Sequence, residues 1–580
     1  MKKIFTLIFC LVSLGASAQQ VNGGFDETWV NCVPWTSANN TTKVGTQPQG
    51  WCISNVKTTV SVTVGTQEST GQGEASPNYS VNLKNVKSGI NLGFINLEQQ
   101  VPAYMTLGTA WSTAKVSFGS GISAADGGVF GGISFTNKPD GIKLYYKRSH
   151  GSANATEKAS VIAYLWKGTW TQASVPGNIA VSGSPTTCTM TNRERNILGK
   201  TTTTGSTNIT KSDDAECIAT IEEYISGDAS EWTEFTTYFN YTSESTPQYL
   251  NIILAANDYF ADRSTIGENN SFTVDNVELI YNSSLSDLRF NNTTVDGFAK
   301  DTYEYTIDGF FTEGCIEFTK DCVGGSVEGD FYPSSNSYII TVKGDDYKSN
   351  PSNTHTYTIK FTKVLIEDGV TDITKMGALS SRTFILKRTF KAGWNTICLP
   401  FRYLPSDLGE NVKLYKLEND NNGTLEFNAQ TNRTKAHIAY LAYFPETIEQ
   451  IIFTGKSSTA SPAPEATTVG DWTFIGSYKP SISMEGQWGV VNAGGKVRKG
   501  GAGSTMKGTR AYLTYNGSAS INEMRFVIDG EETNIIEIDG EPLSYDVYNL
   551  NGMLVRKNAT DLNGLRKGIY IVNGKKYIVK

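Results

Sequence analysis

The chain has 580 residues, too many for one hydrophobic core, and at roughly 150 residues per domain it predicts about four units. Only 18% of residues are charged, against 56 Gly, 28 Tyr and 26 Phe, which makes many short strands joined by turns, an all-β architecture, the default. A net charge of -7 and a pI near 5.4 give no reason to expect a general attraction of the whole chain to nucleic acid or anionic lipid.

At the start, Lys2 and Lys3 precede an apolar run over 4–15 that closes on Ala16-Ser17-Ala18, the small-residue pattern of a signal-peptide cleavage site. The mature chain is expected to begin at Gln19. The run is too short to span a bilayer and no later segment is longer, so no membrane span is expected. Cys10 lies inside the run, after Leu7-Ile8-Phe9, which is no lipobox. The remaining cysteines are Cys32, Cys52, Cys188, Cys217, Cys315, Cys322 and Cys398, in a disulfide-permissive compartment. Sequence order makes Cys32–Cys52, Cys188–Cys217 and Cys315–Cys322 the simplest pairings, although spacing cannot fix connectivity. Zinc would need clustered Cys-x-x-Cys or His partners, which are missing.

Strand-like stretches at 61–64, 161–166 and 249–254 recur as far as Tyr281 between Gly/Asn/Ser turns, with no amphipathic helix of three turns. Residues 19–282 therefore read as one large sandwich. Segments 302–307, 337–342 and 356–361 give 283–364 its own strand rhythm in a span of immunoglobulin size. Strands at 382–388, 394–399, 451–454 and 524–528 predict a third β domain over 365–530, with a Pro/Ala-rich turn at 461–468. In 531–580, Asn551-Gly552 and Asn573-Gly574 each follow an apolar run, the strongest short hairpin signal.

The strings Asn22-Gly23-Gly24-Phe25-Asp26, Gly45-Thr46-Gln47-Pro48-Gln49-Gly50-Trp51, Gly132-Ile133-Ser134-Phe135 and Tyr145-Tyr146-Lys147 run in order up to Phe272-Thr273-Val274-Asp275-Asn276-Val277-Glu278-Leu279-Ile280-Tyr281. Together they resemble the family known as the putative carbohydrate metabolism domain. The resemblance implies a jelly-roll similar to carbohydrate-binding modules, in exported proteins of gut anaerobes. Leu285-Ser286-Asp287-Leu288, Tyr303-Glu304-Tyr305 and Thr356-Tyr357-Thr358-Ile359 resemble a cadherin-like, Ig-like β-sandwich repeat, which implies a spacer. Trp394-Asn395-Thr396-Ile397-Cys398-Leu399-Pro400-Phe401 and Gly508-Thr509-Arg510-Ala511-Tyr512 resemble a β domain of surface proteins of the same bacteria. Val547-Tyr548-Asn549-Leu550-Asn551-Gly552 and Lys567-Gly568-Ile569-Tyr570-Ile571-Val572 are similar to the sorting domains of type IX secretion, which implies delivery to the cell surface or beyond.

Sugars present flat C–H faces that stack on exposed rings while polar neighbours take the hydroxyls. The candidate platform is Trp166 and Trp170, on the turn Trp166-Lys167-Gly168-Thr169-Trp170, with Tyr145, Tyr146 and Trp35. Strand alternation turns one of Tyr145 and Tyr146 inward, and Trp51 is expected in the core. Carbohydrate-binding jelly-rolls often hold a structural calcium near the chain ends, for which Asp26, Glu27 and Asp275 are the candidate ligands; the bland reading is acids bonded to backbone amides.

Catalytic signals are weaker. Glu537-Ile538-Asp539-Gly540-Glu541 would set three carboxylates on one strand face, but it lies outside the jelly-roll, before Pro542. His150, His355 and His437 are scattered over three domains, which disfavours a Ser-His-Asp site. The Gly/Lys-rich stretch 494–508 lacks the phosphate-loop spacing and reads as a solvated hairpin loop, and Asp213, Asp214, Glu216, Glu222 and Glu223 read as a solvated insertion. The sequence thus favours an exported glycan-binding protein without an assigned catalytic residue. A polysaccharide-acting glycoside hydrolase and an adhesive protein that binds other surface proteins are the alternatives.

Overall fold

The structure, a computed structural model, describes residues 21–579 apart from 34–42, 58–60, 118–120, 173–189, 202–208, 491–496, 519–524, 533–544 and scattered single or paired positions. Among the described residues α-helix is confined to one turn, Glu194–Ile197, and the chain is all-β. Strands form at nearly every stretch where the sequence predicts them, commonly one or two residues longer or shorter, for example Ala159–Lys167, Tyr249–Ala255, Ser337–Lys343, Thr354–Phe361, Arg382–Phe390 and Gly568–Val572.

The chain divides into two compact units. The first holds Met1–Ser286 with Thr319–Val327 and Val342–His355. Its main sheet runs in the order Asn240–Tyr241, Glu216–Ile225, Ala159–Lys167, Tyr249–Ala255, Tyr104–Thr106, Cys52–Ile53. A second sheet runs Ala229–Tyr238, Gly141–Ser149, Ser271–Ile280, Ser80–Lys84, Gly65–Glu68. A core that includes Val81, Leu83, Ile142, Leu144, Val161, Leu165, Leu254, Phe272 and Val274 draws on both sheets.

The strand Ala159–Lys167 reads as an almost unbroken apolar run because it is buried on both faces. Val161, Ala163 and Leu165 belong to the sandwich core, whereas Ile162, Tyr164 and Trp166 belong to a second apolar cluster. That cluster also contains Trp170 and Ile197, from the three-stranded sheet of Trp170–Gln172, Met190–Thr191 and Ile209–Lys211 and the short helix.

The family-like strings turn out to be packing devices. Val277 N donates to Gly23 O at 3.0 Å, and a Cβ at Gly23 would stand 1.8 Å from Val277 O, so only glycine lets these segments meet. Phe25, with φ of 55°, is fully buried and meets Trp51 edge to face at 5.9 Å. Segments 319–327 and 342–355 belong to this unit through buried acids and amides: Asp140 accepts from Asn282 N and Val323 N, each at 2.7 Å, and Asp345 accepts from Lys138 N.

The second unit contains the rest of the chain from Asp287. Its strands after 360 form a three-stranded sheet (Lys363–Glu367, Arg382–Phe390, Ile448–Lys456), a six-stranded sheet that includes Gly393–Cys398, and a five-stranded sheet. They share one core with Phe384, Phe390, Phe401, Tyr440 and Trp472. Beyond 544, Leu554–Ala559, Tyr545–Asn549, Gly568–Val572 and Lys575–Val579 form a separate four-stranded sheet in that order.

Three expectations need correction. The acids at 216–223 are not on a solvated insertion: Glu216–Ile225 is a strand of the main sheet, with Glu216 bonded to Lys167 at 3.0 Å and Ser245 at 2.8 Å. The stretch 494–508 contributes two short strands, Val497–Lys499 and Thr505–Lys507, rather than only a loop. The described cysteines are free, so Cys32–Cys52 and Cys315–Cys322 are not bonded, and Cys188 lies outside the described residues. Cys32 and Cys52 both approach Ile53 O, at 3.7 and 4.0 Å, but Cys52 accepts from Ala110 N at 3.3 Å. Burial pushes the Cys32 thiol up to about 12.

Candidate functional site

The proposed Trp166 and Trp170 platform is not exposed. Trp166 is 0% and Trp170 2% accessible. Trp166 is the penultimate residue of a strand whose outer face is covered, and its ring lies between Tyr164 and Tyr249, at centroid distances of 5.1 and 5.3 Å. Gly168, at φ of 72°, turns the chain back so that the strand beginning at Trp170 joins the covering sheet. A tight turn between two tryptophans buries both when the chain folds over its own sheet. Trp35 and the acidic string 537–541 lie outside the described residues.

Tyr145 and Tyr146 separate as alternation requires. Tyr146 packs on the sandwich core with its ring 5.7 Å from Phe272, and Tyr145 faces outward. Opposite Tyr145, in register, stands Glu234, which accepts its hydroxyl at 2.7 Å. Because directly paired residues share a face, the register carries this face outward to Thr236 and Tyr238, and alternation adds Trp232. The edge strand Ala229–Tyr238 thus offers Trp232, Glu234, Thr236 and Tyr238 on its outer side, with Tyr238 62% accessible.

The neighbouring strand adds cations. Lys147 Nζ sits 5.1 Å from the Trp232 ring and Lys143 Nζ 5.9 Å from the Tyr145 ring. Lys143 also pairs with Glu278 at 3.1 Å, on the third strand. Hydrogen bonding to the Glu278 carboxylate holds the Lys143 ammonium above its ordinary value, and hydrogen bonding to Glu234 does the same for the Tyr145 phenol. Farther across the sheet, Asn82 donates to Glu68 at 3.2 Å. The result is a face of partly exposed rings, one on each side of Glu234 along the sheet, interleaved with donors and acceptors. The sequence reading missed Trp232 and Tyr238; the signal was the period-two spacing of Trp232, Glu234, Thr236 and Tyr238.

Asp26 and Asp275 lie near enough for the charge of one to act on the other, and each accepts from backbone amides. Tyr79 N donates to Asp26 Oδ1 at 2.6 Å, while Gln72 N and Asn276 N donate to Asp275 Oδ2 and Oδ1 at 2.6 and 2.7 Å. Desolvation, reinforced by the Asp26 charge, pushes Asp275 up to about 6. Glu27 is exposed, and no group of three or more His, Cys, Asp or Glu converges on a metal position among the described residues. Ca²⁺ takes about six to eight oxygens, whereas the described acids bring only the two carboxylates of Asp26 and Asp275 together, each already drawn to backbone amides, a sparse set for that ion. The acids fasten the 70–80 segment to the last strand. At Gly71 a Cβ would stand 2.5 Å from Asp275 Oδ2, which shows how closely that segment is drawn in.

Another acid escaped notice in the sequence. Glu194, fully buried on the short helix, accepts from Val129 N at 3.1 Å and Tyr259 Oη at 3.3 Å, with Arg195 Nε at 3.7 Å. Burial raises its carboxyl above the ordinary range. It ties the hairpin strand Gly121–Phe130 over the second apolar cluster. The histidines are also locally bonded, His150 to Asp228 at 2.7 Å, His355 to Ser283 at 2.7 Å and His437 to Tyr478 at 3.2 Å.

No family model and no curated protein matches the chain. Among solved structures, a "putative glycoside hydrolase" of Bacteroides thetaiotaomicron matches at 12% identity, over 46% of this chain and 70% of that one, with a TM-score of 0.25. Another "putative glycoside hydrolase", of Bacteroides vulgatus, matches at 14% identity, over 37% of this chain and 77% of that one, with a TM-score of 0.23. Likenesses this slight bear on neither the fold nor the function.

Proposed function

We propose that this chain is an exported glycan-binding protein whose contact surface is the outer face of the five-stranded sheet in the first unit. The observation that carries the reading is the line of Trp232, Tyr145 and Tyr238, set among Lys143, Lys147, Glu234 and Glu278. Trp232 and Glu234 are two residues apart on an extended strand, so the Trp232 and Tyr145 positions are offset by about 7 Å along it. Rings so placed can stack on the C–H faces of sugar units while the flanking amide, ammonium and carboxylate groups bond hydroxyls. The resemblance of 19–282 to a carbohydrate-associated jelly-roll and the leader-like first residues support the same reading. The next domains then act as spacers.

The test is calorimetry or affinity electrophoresis of the chain from Gln19 onward against a panel of plant, host and bacterial polysaccharides. Replacing Trp232→Ala and Tyr145→Ala together is expected to weaken binding about tenfold, equivalent to about 1.4 kcal/mol. Both side chains are partly exposed, so the thermal midpoint should hardly move. Absence of binding across the panel, or a double variant that binds as tightly as the parent, removes the proposal.

A further inference from the structure

The last four-stranded sheet carries a surface of a different chemistry. One of its faces is covered by Val547, Ala559, Tyr570 and Val572. The hairpin joining Tyr545–Asn549 to Leu554–Ala559, however, has Leu550, Met553, Leu554 and Val555 exposed, at 53%, 62%, 48% and 42%. Tyr548 pairs with Leu554 and Val547 with Arg556, so Val555 is the extra residue of a bulge, and the strand bends at the tip with Leu554 and Val555 both open to solvent. The tip lies beyond the small core with four apolar side chains open to solvent. Ile569 and Ile578, paired in register, extend the exposed apolar surface.

The backbone of this tip is prepared for leaving water. Asn549 Oδ1 accepts from Asn551 N at 2.9 Å and Met553 N at 3.0 Å, and Gly552 N donates to Asn549 O at 3.0 Å. Three successive amides are thus satisfied inside the turn, which avoids the penalty of burying unpaired donors. Gly552, at φ of 76°, supplies the conformation this turn needs.

Charge is segregated in the same place. Residues 545–580 hold seven Lys and Arg against two Asp, a local net charge of +5 in a chain that totals -7. Lys557, Arg566, Lys567 and Lys576 are exposed. Fields of exposed charges die away within about 8–10 Å, so an approaching surface meets this local positive charge rather than the acidic total.

We propose that this hairpin is a membrane-surface anchor: its tip inserts into the interfacial region of a lipid layer with anionic headgroups, and the basic residues behind it contact those headgroups. The three residues Met553 to Val555 span about 10 Å, comparable with the roughly 5–10 Å depth of interfacial insertion. The concentration of exposed basic side chains behind an exposed apolar tip matches an anionic lipid surface, which offers charge and an apolar layer together, better than an apolar protein groove. This anchor does not depend on the glycan reading.

The test is co-sedimentation of the chain from Gln19 onward with phosphatidylcholine vesicles, with and without one third phosphatidylglycerol. Binding to the anionic vesicles at low salt is expected, with steep loss on raising salt to 0.5 M. Met553→Asp with Leu554→Asp should weaken it at least tenfold. Lys557→Glu with Lys576→Glu should weaken it by about fivefold per residue. The four side chains are exposed, and unchanged circular dichroism will confirm that the variants fold. Equal sedimentation of parent and variants, or none with anionic vesicles, overturns the proposal. So does self-association of the parent, abolished by Met553→Asp, without vesicle binding; that result would assign the surface to a second copy of the chain.

Discussion

Trp166→Ala is expected to lower the stability of the first unit by about 3–5 kcal/mol, the usual penalty for truncating a fully buried tryptophan. The side chain is 0% accessible and contacts the rings of Tyr164 and Tyr249, and a Cβ at Gly132 would already touch it at 2.4 Å. Little can collapse into the space vacated, because the ring is held between a sheet and its cover. The denaturation midpoint of the first unit, followed by hydrogen exchange in Ala159–Lys167, should fall clearly. Glycan affinity of the remaining folded fraction should not change, the reverse of the pattern expected for Trp232 with Tyr145. If Trp166→Ala left the midpoint intact and lowered affinity, the covered layer rather than the open face would be the binding surface.

The second large effect concerns pH. In the folded chain Asp275 keeps its proton up to about pH 6, mainly because it is buried and secondarily because Asp26 is near. In the unfolded chain it titrates near the ordinary value of about 4. Between these values the folded state holds more protons, so stability falls as pH rises through this window. The contribution is fully present below about pH 4 and is lost above about pH 6, a swing of about 3 kcal/mol. Asp26→Asn can keep the bond from Tyr79 N through its amide oxygen while removing the like charge. It is expected to flatten the profile and raise stability at pH 7 by about 1 kcal/mol. Calcium or a chelator should leave the pH 7 midpoint of either form unchanged. A midpoint raised by calcium in the parent and lost in Asp26→Asn would restore the cation reading.

The strands were legible because their signal is local. Alternation, apolar runs and turn residues mark strands at 161–166, 249–254 and 337–342 before any tertiary information is needed, and the structure lengthens them to 159–167, 249–255 and 337–343. Alternation also predicted the separation of Tyr145 from Tyr146, although it could not say which faced in. The burial of Trp166 was not legible, because it depends on a second layer built from the separate short strands Trp170–Gln172, Met190–Thr191 and Ile209–Lys211 and the helix Glu194–Ile197, whose assembly is not a local signal. The unbroken apolar and aromatic run from Val161 to Trp166 was the available hint, since a strand with one solvated face would alternate. The charge of residues 545–580 was readable from the outset, but averaging over 580 residues concealed it. The free thiols reflect the same limitation: nearness in sequence placed Cys32 and Cys52 close together, but not in bonding geometry.

The contact between Gly23 and Val277 has an evolutionary consequence. The sandwich begins and ends at one point, with its first and last segments bonded at 3.0 Å. A domain closed in this way can be spliced into a host loop, or placed in tandem, without pulling its neighbours apart. It should also tolerate circular permutation, with the old ends joined by a short bridge and new ones opened at the exposed turn around Gly227. Such a module can be shuffled among unrelated proteins while its fold stays intact.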